Sequence, residues 1–238
     1  MPTRLIRTAA LALVAASSGF CSAVLLSGNS MPASSTLTDN LALLPGNTYT
    51  VVSPAAFAST PQAGYDLVWL DGFSLYNDLS SLVPYLNGGG RVLVQNPGFG
   101  SEPLSQYPDG AGITATFSTH DTVRLLMPGD LLNLHLTAGA LSGWGPSAYG
   151  NFVSVTSAFL VLSDDGVDGE AITIRRNGGP GVLVYTQQGI SQYLQNHVVT
   201  ADAAQLQFID NILAAPEPST ALLLVGGGLL VIARRRSR

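Results

Sequence analysis

The chain has 238 residues, one cysteine and a formal net charge of −5 at pH 7. A single cysteine excludes a framework of disulfides within the chain. Six of the ten basic residues lie in the first seven and last five positions, so residues 8–233 carry four arginines, no lysine and all 15 carboxylates. A surface this acidic repels nucleic acid and anionic lipid, which excludes nucleic-acid binding. The roughly 190 residues between the two terminal segments described below, 24–214, suffice for one domain with a real core.

Residues 1–23 have the pattern of a secretory signal peptide. Two arginines precede a short apolar stretch that ends in small residues. The small-x-small sequence Cys21-Ser22-Ala23 predicts cleavage after Ala23 by signal peptidase, following export through the Sec translocon. Phe20 occupies a position where lipidation of Cys21 requires a small residue, which disfavours a lipoprotein. Residues 24–47 are rich in Ser, Thr, Pro and Asn and are predicted to be a leader that precedes the fold.

The clearest unit of the predicted exported domain, residues 48–214, is a strand, a helix and a second strand. The apolar run 65–70 is typical of a buried parallel strand. Leucines at helical spacing predict a helix over 75–86, with Pro84 near its end. Three glycines then lead into the apolar run 91–95. Two buried strands joined by a helix predict a parallel βαβ unit with a right-handed crossover.

The remaining segments also alternate between strand and helix patterns. A final amphipathic helix begins after Asp202, which we expect to cap its first turn. Two strands around a glycine-rich turn predict a hairpin. The predicted strands are 49–53, 113–118, 152–162 and the hairpin pair 171–176 and 182–186, and the predicted helices are 190–196 and 203–213.

Three stretches, YDLVWLDG (65–72), YLNGGGRVLVQNPGFG (85–100) and GGPGVLVYTQQGI (178–190), resemble the class I glutamine-amidotransferase-like fold, which is flavodoxin-like. The resemblance implies an α/β sandwich with a mostly parallel sheet. Enzymes of this family place a nucleophilic cysteine on the turn after the strand that matches 91–95. Here that turn, Asn96–Gly100, has neither Cys nor Ser. The sequence therefore predicts no catalytic residue and no cofactor.

Two alternatives to a non-enzymatic body remain. A hydrolytic or ligand-binding site is one, since Ser101 follows the turn and His120-Asp121 would supply a base and its orienting carboxylate. The other histidines are predicted to be structural, His135 as half-buried packing and His197 as a surface residue. Scattered aromatic residues are expected in the core rather than in a sugar-binding platform: Trp69, Tyr76, Tyr85, Trp144 and Tyr149.

A calcium-stabilised adhesin is the second alternative. An acidic, glycine-containing turn places four carboxylates within seven residues, and calcium prefers oxygen ligands. Their spacing differs from that of an EF-hand loop, and a solvated turn between strands is the favoured interpretation. The carboxylates are Asp164, Asp165, Asp168 and Glu170.

The segment 215–238 has three parts in fixed order. Pro216, Glu217 and Pro218 form a rigid polar tripeptide. The apolar run 219–233 is predicted to be a short transmembrane helix. A basic cluster follows that would stay on the cytoplasmic side of the membrane: Arg234, Arg235, Arg236 and Arg238.

This order resembles the PEP-CTERM sorting signal of Gram-negative bacteria, on the residues of the tripeptide, the apolar run and the arginine cluster. The resemblance implies an exosortase as partner, an inner-membrane anchor before processing, and a mature protein in the periplasm, on the cell surface or in the extracellular matrix. The function predicted from the whole sequence is that of a non-enzymatic surface or matrix protein associated with the envelope or with exopolysaccharide. A permanent membrane anchor is the alternative interpretation of the same residues.

Overall fold

The sheet at the centre of the molecule contains ten strands. They are seen in a computed structural model that describes residues 22–28, 31–72, 76, 78–96, 104–117, 122–144 and 150–215. The strands are β1 (Ala23–Ser27), β2 (Thr48–Val52), β3 (Leu67–Asp71), β4 (Arg91–Gln95), β5 (Thr114–Phe117), β6 (Arg124–Leu125), β7 (Gly150–Ser154), β8 (Phe159–Asp164), β9 (Ala171–Arg176) and β10 (Val182–Thr186).

Half of the sheet is parallel and forms the α/β part of the fold. Its strand order is β2-β1-β3-β4-β10, and every neighbouring pair in this part is parallel. Strand β9 pairs antiparallel with β10, which confirms the predicted hairpin. The other antiparallel strands extend the sheet beyond β9. The fold is thus α/β with a mixed sheet, as the resemblance implied.

Helices cover both faces of the parallel part. They are α1 (Ser35–Leu41), α2 (Pro54–Phe57), α3 (Leu82–Asn87), α4 (Ala138–Leu141), α5 (Ile190–Asn196) and α6 (Ala204–Ala214). Side chains alternate along each strand, so Val24 and Trp69 pack with α1, α5 and α6, while Leu25 and Val68 pack with α2 and α3. The βαβ unit β3–α3–β4 and the short helix α5 confirm the sequence predictions.

The prediction that residues 24–47 precede the fold is wrong. Strand β1 lies between β2 and β3, and Val24, Leu25 and Leu26 are fully buried. The strand already begins at Ala23, whose N–H donates to the Asp66 carboxylate at 2.8 Å. Backbone pairing reaches one residue further back, since the carbonyl of Ser22 accepts the Thr48 N–H at 2.8 Å. The apolar sequence AVLLS is therefore a central strand of the sheet and not part of a leader that precedes it.

Helix α3 is shorter than predicted, beginning at Leu82 rather than at residue 75. Pro84 is its third residue and lacks an N–H. The first four N–H groups of a helix have no partner within it, so proline fits the first turn without loss. The sharp turn after the helix depends on Gly90, where a side chain would collide with the ring of Tyr85 at 2.4 Å.

Two further predictions need correction. Asp202 does not cap the last helix, because α6 begins after Ala203 without a side-chain cap and the Asp202 carboxylate accepts the Thr200 hydroxyl at 2.5 Å. The run 152–162 is not one strand, because the chain turns after β7 and Phe159 N–H donates to the Thr156 carbonyl.

No helix among the described residues is long and apolar enough to cross a membrane. The predicted helix 219–233 lies outside those residues, as do 1–21 and the tripeptide Pro216–Pro218.

Candidate functional site

Polar side chains collect at the carboxyl ends of the parallel strands. Ser27, Asp71, Gln95 and Thr186 are the last residues of β1, β3, β4 and β10, and each is at least 97% buried. The strand register places Asp71 opposite Gln95 and Gln95 opposite Thr186. Since ligands of open α/β sheets bind outside the carboxyl ends of the strands, this edge is the candidate functional site.

A closed network joins the middle of this edge to helix α5. The Ser191 hydroxyl donates to Oδ2 of Asp71 at 3.1 Å, and the Ser191 backbone N–H donates to Oε1 of Gln95 at 3.0 Å. The amide Nε2 of Gln95 donates in turn to the Ser191 hydroxyl. All three side chains are buried, so each bond replaces one that water would otherwise supply. The serine thereby fixes both strand ends against the start of α5.

Amide side chains continue the site to either side of this network. Asn96 follows β4 and donates through Nδ2 to the Gly72 carbonyl at 3.0 Å. A side chain at Gly72 would lie 2.6 Å from the Asn96 Cβ, so the close approach requires glycine there. Next to β10, Gln188 donates to the Leu141 carbonyl at 2.7 Å, and Thr186 shares a hydrogen bond with Thr173 at 2.9 Å.

Gln187 differs from these neighbours, because neither end of its amide has a partner among the described residues. The side chain is fully buried, and both Nε2 and Oε1 lack a hydrogen bond. It lies against Gly150, where a Cβ would come within 2.4 Å of Oε1. A buried amide without partners costs about 1–3 kcal/mol per group. The arrangement leaves one donor and one acceptor that a polar ligand or an ordered water would satisfy.

The structure gives no geometry for the predicted hydrolytic alternative, since Ser101, His120 and Asp121 lie outside the described residues. His197 is exposed at the end of α5 and stacks on Tyr193, with ring centroids 4.2 Å apart, as expected for a surface residue. The half-buried packing predicted for His135 is wrong. That residue is exposed in a left-handed turn with φ of 63°, and the following Leu136 fills the core position.

The acidic turn lies at the end of β8 and largely satisfies its own carboxylates. Oδ1 of the buried Asp165 accepts three backbone N–H groups, from residues 167, 168 and 169, at 2.9–3.0 Å. Its Oδ2 accepts Nδ2 of Asn151 at 2.9 Å, which also donates to Glu170 at 3.2 Å. No group of three or more acidic, histidine or cysteine side chains in the described part of the chain is arranged to hold a metal. The geometry therefore lends no support to calcium binding.

The first carboxylate of the turn belongs to an ion pair. Asp164 is 2% exposed and accepts Nη2 of Arg124 at 2.6 Å and its Nε at 3.0 Å. Hydrogen bonding to Asp164, and then its charge, raises the pKa of Arg124. This ion pair joins β6 to β8. Asp168, by contrast, is exposed in the turn. The turn thus connects the paired strands β8 and β9.

The residues of the carboxyl-end network, Asp71, Gln95 and Ser191, were not predicted as site residues from the sequence. A usable signal exists, because each strand residue is the first polar residue after an apolar run: LVWLD, RVLVQ and VLVYT. Parallel strands of equal length bring such residues to one edge. Ser191 has no comparable local signal, since it contacts Asp71 across 120 residues of chain.

Solved structures with a similar fold support the resemblance seen in the sequence. A protein described as a component of GMP synthase from Thermoplasma acidophilum matches with a TM-score of 0.55 and 13% identity, over 82% of this chain and 94% of that one. PurLQS from Thermotoga maritima matches with a TM-score of 0.50 and 11% identity, over 82% and 98%. At these identities the likeness concerns the fold alone.

A third similar structure, a β-galactosidase from Rahnella sp. R3, has a TM-score of 0.52 and 18% identity. The match covers 86% of this chain and 32% of that protein, so this chain spans about a third of its length. Curated proteins provide no match.

The family model of the PEP-CTERM protein-sorting motif matches residues 214–237. These residues contain the tripeptide Pro216–Pro218, the apolar run and most of the arginine cluster. The motif implies an exported protein of the cell envelope that is sorted by an exosortase. This chain therefore carries a PEP-CTERM sorting motif, next to a body whose fold is similar to class I glutamine-amidotransferase-like domains.

Proposed function

We propose that the protein is a non-enzymatic component of the cell surface or extracellular matrix, associated with exopolysaccharide and delivered there by exosortase processing. The sorting motif over residues 214–237 is the observation that carries this proposal. After removal of the apolar run, nothing in the motif holds the body at the inner membrane. The acidic middle of the chain disfavours anionic lipid, so the released body moves on to a polymer or to the medium.

The carboxyl-end network supports a body without catalysis. A nucleophilic serine needs a free proton acceptor at its hydroxyl and space for an acyl group. The Ser191 hydroxyl instead bonds both Asp71 and Gln95 inside the core, and its exposed fraction is 0%. These contacts serve to join the strand ends to α5.

The test compares a host that carries an exosortase with the same host from which the exosortase has been deleted. We expect the body in the surface, matrix or medium fraction of the first host and in the inner-membrane fraction of the second. Co-sedimentation with the exopolysaccharide of the host tests the association. The same distribution in both hosts would overturn the proposal.

Ligand binding at the carboxyl-end site is the second candidate, and Gln187 is the observation that favours it. An amide buried with a free donor and a free acceptor matches a neutral hydroxyl-rich ligand such as an oligosaccharide. We expect oligosaccharides from the host polymer to raise the melting temperature of the wild-type protein and to leave that of Gln187→Leu unchanged. Equal shifts in both proteins would place binding elsewhere.

A further inference from the structure

The chain leaves the body at the sheet edge opposite the candidate site. Leu67, Arg91 and Val182 begin their strands in register, so they mark the amino-end edge of the parallel sheet. The guanidinium of Arg91 donates to the carbonyl oxygen of Ala215, from Nε at 3.1 Å and from Nη2 at 2.9 Å. Ala215 directly precedes the tripeptide Pro216–Pro218. A side chain of β4 thus fixes the point from which the sorting motif starts.

A cleft of about 180 Å³ opens at this point, and Ala215 is part of its wall. Leu131 and Leu132 contribute apolar surface, and Arg175 and Arg176 contribute charge. The glycine-rich turn between β9 and β10 forms another side with little side-chain bulk, since a Cβ added at Gly178 would meet no atom within 4 Å. Asp130 also lines the cleft, so its charged groups are two arginines and one carboxylate. An apolar wall with an excess of positive charge suits a short proline-containing segment with one carboxylate.

The arginines of the body are concentrated here. Arg91, Arg175 and Arg176 are three of the four arginines between residues 8 and 233, a range that has no lysine. Arg175 is paired with Asp130 at 2.7 Å. Arg176 reaches the half-exposed Asp109 through Nη1 at 3.1 Å.

One donor of Arg176 has no acceptor among the described residues. Its Nη2 donates to the carbonyls of Pro180 at 2.6 Å and Gly181 at 3.3 Å, while the buried Nε is the donor without an acceptor in this part of the chain. Glu217 is the one acidic residue in the segment 216–238 and lies two positions after Ala215. Two residues of extended chain reach about 7 Å, which keeps this carboxylate within the surroundings of the cleft. Opposite charge and short reach both favour the pairing.

We propose that the cleft binds the first residues of the sorting motif, Pro216–Pro218, with the Glu217 carboxylate beside the guanidinium of Arg176. The proposal rests on the proposed function, because it assigns the folded body a part in handling the motif that the exosortase cuts. In this arrangement the motif is bound to the folded body when the exosortase acts on it, and it is not a freely moving extension of the chain. The candidate site at the carboxyl ends faces away from the edge that carries the membrane-directed segment.

The test is an NMR titration of the full chain in detergent micelles, labelled with carbon-13 at the glutamate carboxyl groups. The chain has three glutamates, Glu102, Glu170 and Glu217, so Glu217→Gln assigns the signal. We expect Glu217 to titrate about one pH unit below its ordinary pKa in the wild-type protein, as a carboxylate beside arginine does. Arg176→Gln should raise that pKa to its ordinary value.

Two variants control for indirect effects. Arg124→Gln removes an arginine that is paired with Asp164, and it should leave the Glu217 titration unchanged. Arg176→Lys keeps the charge and should keep most of the lowered pKa, which separates lost pairing from local unfolding. An identical Glu217 titration in the wild type, Arg176→Gln and Arg124→Gln would overturn the inference.

Processing is scored separately in the exosortase-carrying host, as the fraction of chains that lack residues 219–238. If the chain is processed but the pKa of Glu217 is the same with and without Arg176, the binding of the motif in the cleft is refuted and the proposed function stands. A chain that is never processed but shows the Arg176 dependence refutes the proposed function and leaves the cleft standing as a binding site for the tail.

Discussion

The carboxylate of Asp165 should hold the acidic turn together without any metal, and Asp165→Ala tests this directly. The side chain is fully buried and accepts four hydrogen bonds, three from the backbone of its own turn and one from Asn151. Hydrogen bonds to charged groups contribute about 1.5–3 kcal/mol each. A simple sum would therefore predict the loss of most of the stability of a domain.

The structure indicates a smaller loss. Residues 166–169 are exposed, so water can replace the carboxylate at their three N–H groups in the variant. The Asn151 amide is fully buried and keeps only its 3.2 Å bond to Glu170, so it bears most of the penalty. We expect Asp165→Ala to lower the free energy of unfolding by about 3 kcal/mol. For a domain of this size the melting temperature should fall by about 6–12 °C.

Thermal unfolding followed by circular dichroism, with 1 mM calcium or with a chelator, provides the assay. The wild-type melting temperature should be the same in both buffers. The melting temperature of Asp165→Ala should be lower than that of the wild type by the same number of degrees in both buffers. Asp39→Ala, at an exposed position of α1, is the control and should change stability by less than about 0.5 kcal/mol. A wild-type protein that calcium stabilises by several degrees, with the gain lost in Asp165→Ala, would refute the reasoning and favour the calcium-dependent adhesin.

Three further outcomes follow from the described contacts. Ser191→Ala removes the hydroxyl that bonds both Asp71 and Gln95 inside the core, and it should lower the free energy of unfolding by about 2–3 kcal/mol in urea denaturation; an unchanged midpoint would contradict the network. Burial raises the pKa of Tyr49 to about 12 and that of Tyr185 well above its ordinary value. Both tyrosines ionise near pH 10 in the unfolded chain, so the unfolded state loses protons before the folded state does. The urea midpoint should therefore be constant below about pH 10 and fall as the pH rises toward 12, and it should fall less steeply in Tyr49→Phe. A midpoint that stays constant across that range would contradict the burial of these side chains. Because β1 begins at Ala23, the exported chain should retain this residue, and an amino-terminal peptide that starts at Val24 would contradict this.

The local sequence pattern was sufficient to predict the bounds of an element that is buried on both sides or that ends abruptly. The strand predicted over 91–95 and the helix predicted over 190–196 have the predicted bounds, because an apolar run between polar or glycine residues leaves little choice of limits. The same rule missed β1, because AVLLS directly follows the segment that the sequence pattern predicts to be a signal peptide. Its identity as a strand depends on pairing with β2 and β3, which no local window contains.

The candidate site was harder to predict than the fold. Asp71 and Gln95 become neighbours only because β3 and β4 are parallel and in register, and Ser191 joins them from a distant helix. For the acidic turn the sequence suggested a site that the structure does not support. Four nearby carboxylates resemble a cation site in the sequence, but backbone N–H groups, Asn151 and Arg124 occupy much of their hydrogen-bonding capacity. The sorting motif needed no three-dimensional information, since its order of polar, apolar and basic segments is itself the signal.

Exosortase processing of the tail is the central claim, and the mass of the mature protein tests it most directly. We would measure the intact mass and the carboxyl-terminal peptide of the protein from its native host, together with a Pro216→Ala/Glu217→Ala variant. The account predicts that the wild-type chain ends near residues 215–219 and that the variant keeps its chain through Arg238. Wild-type and variant chains that both end at Arg238 would contradict processing and would make the tail a permanent anchor.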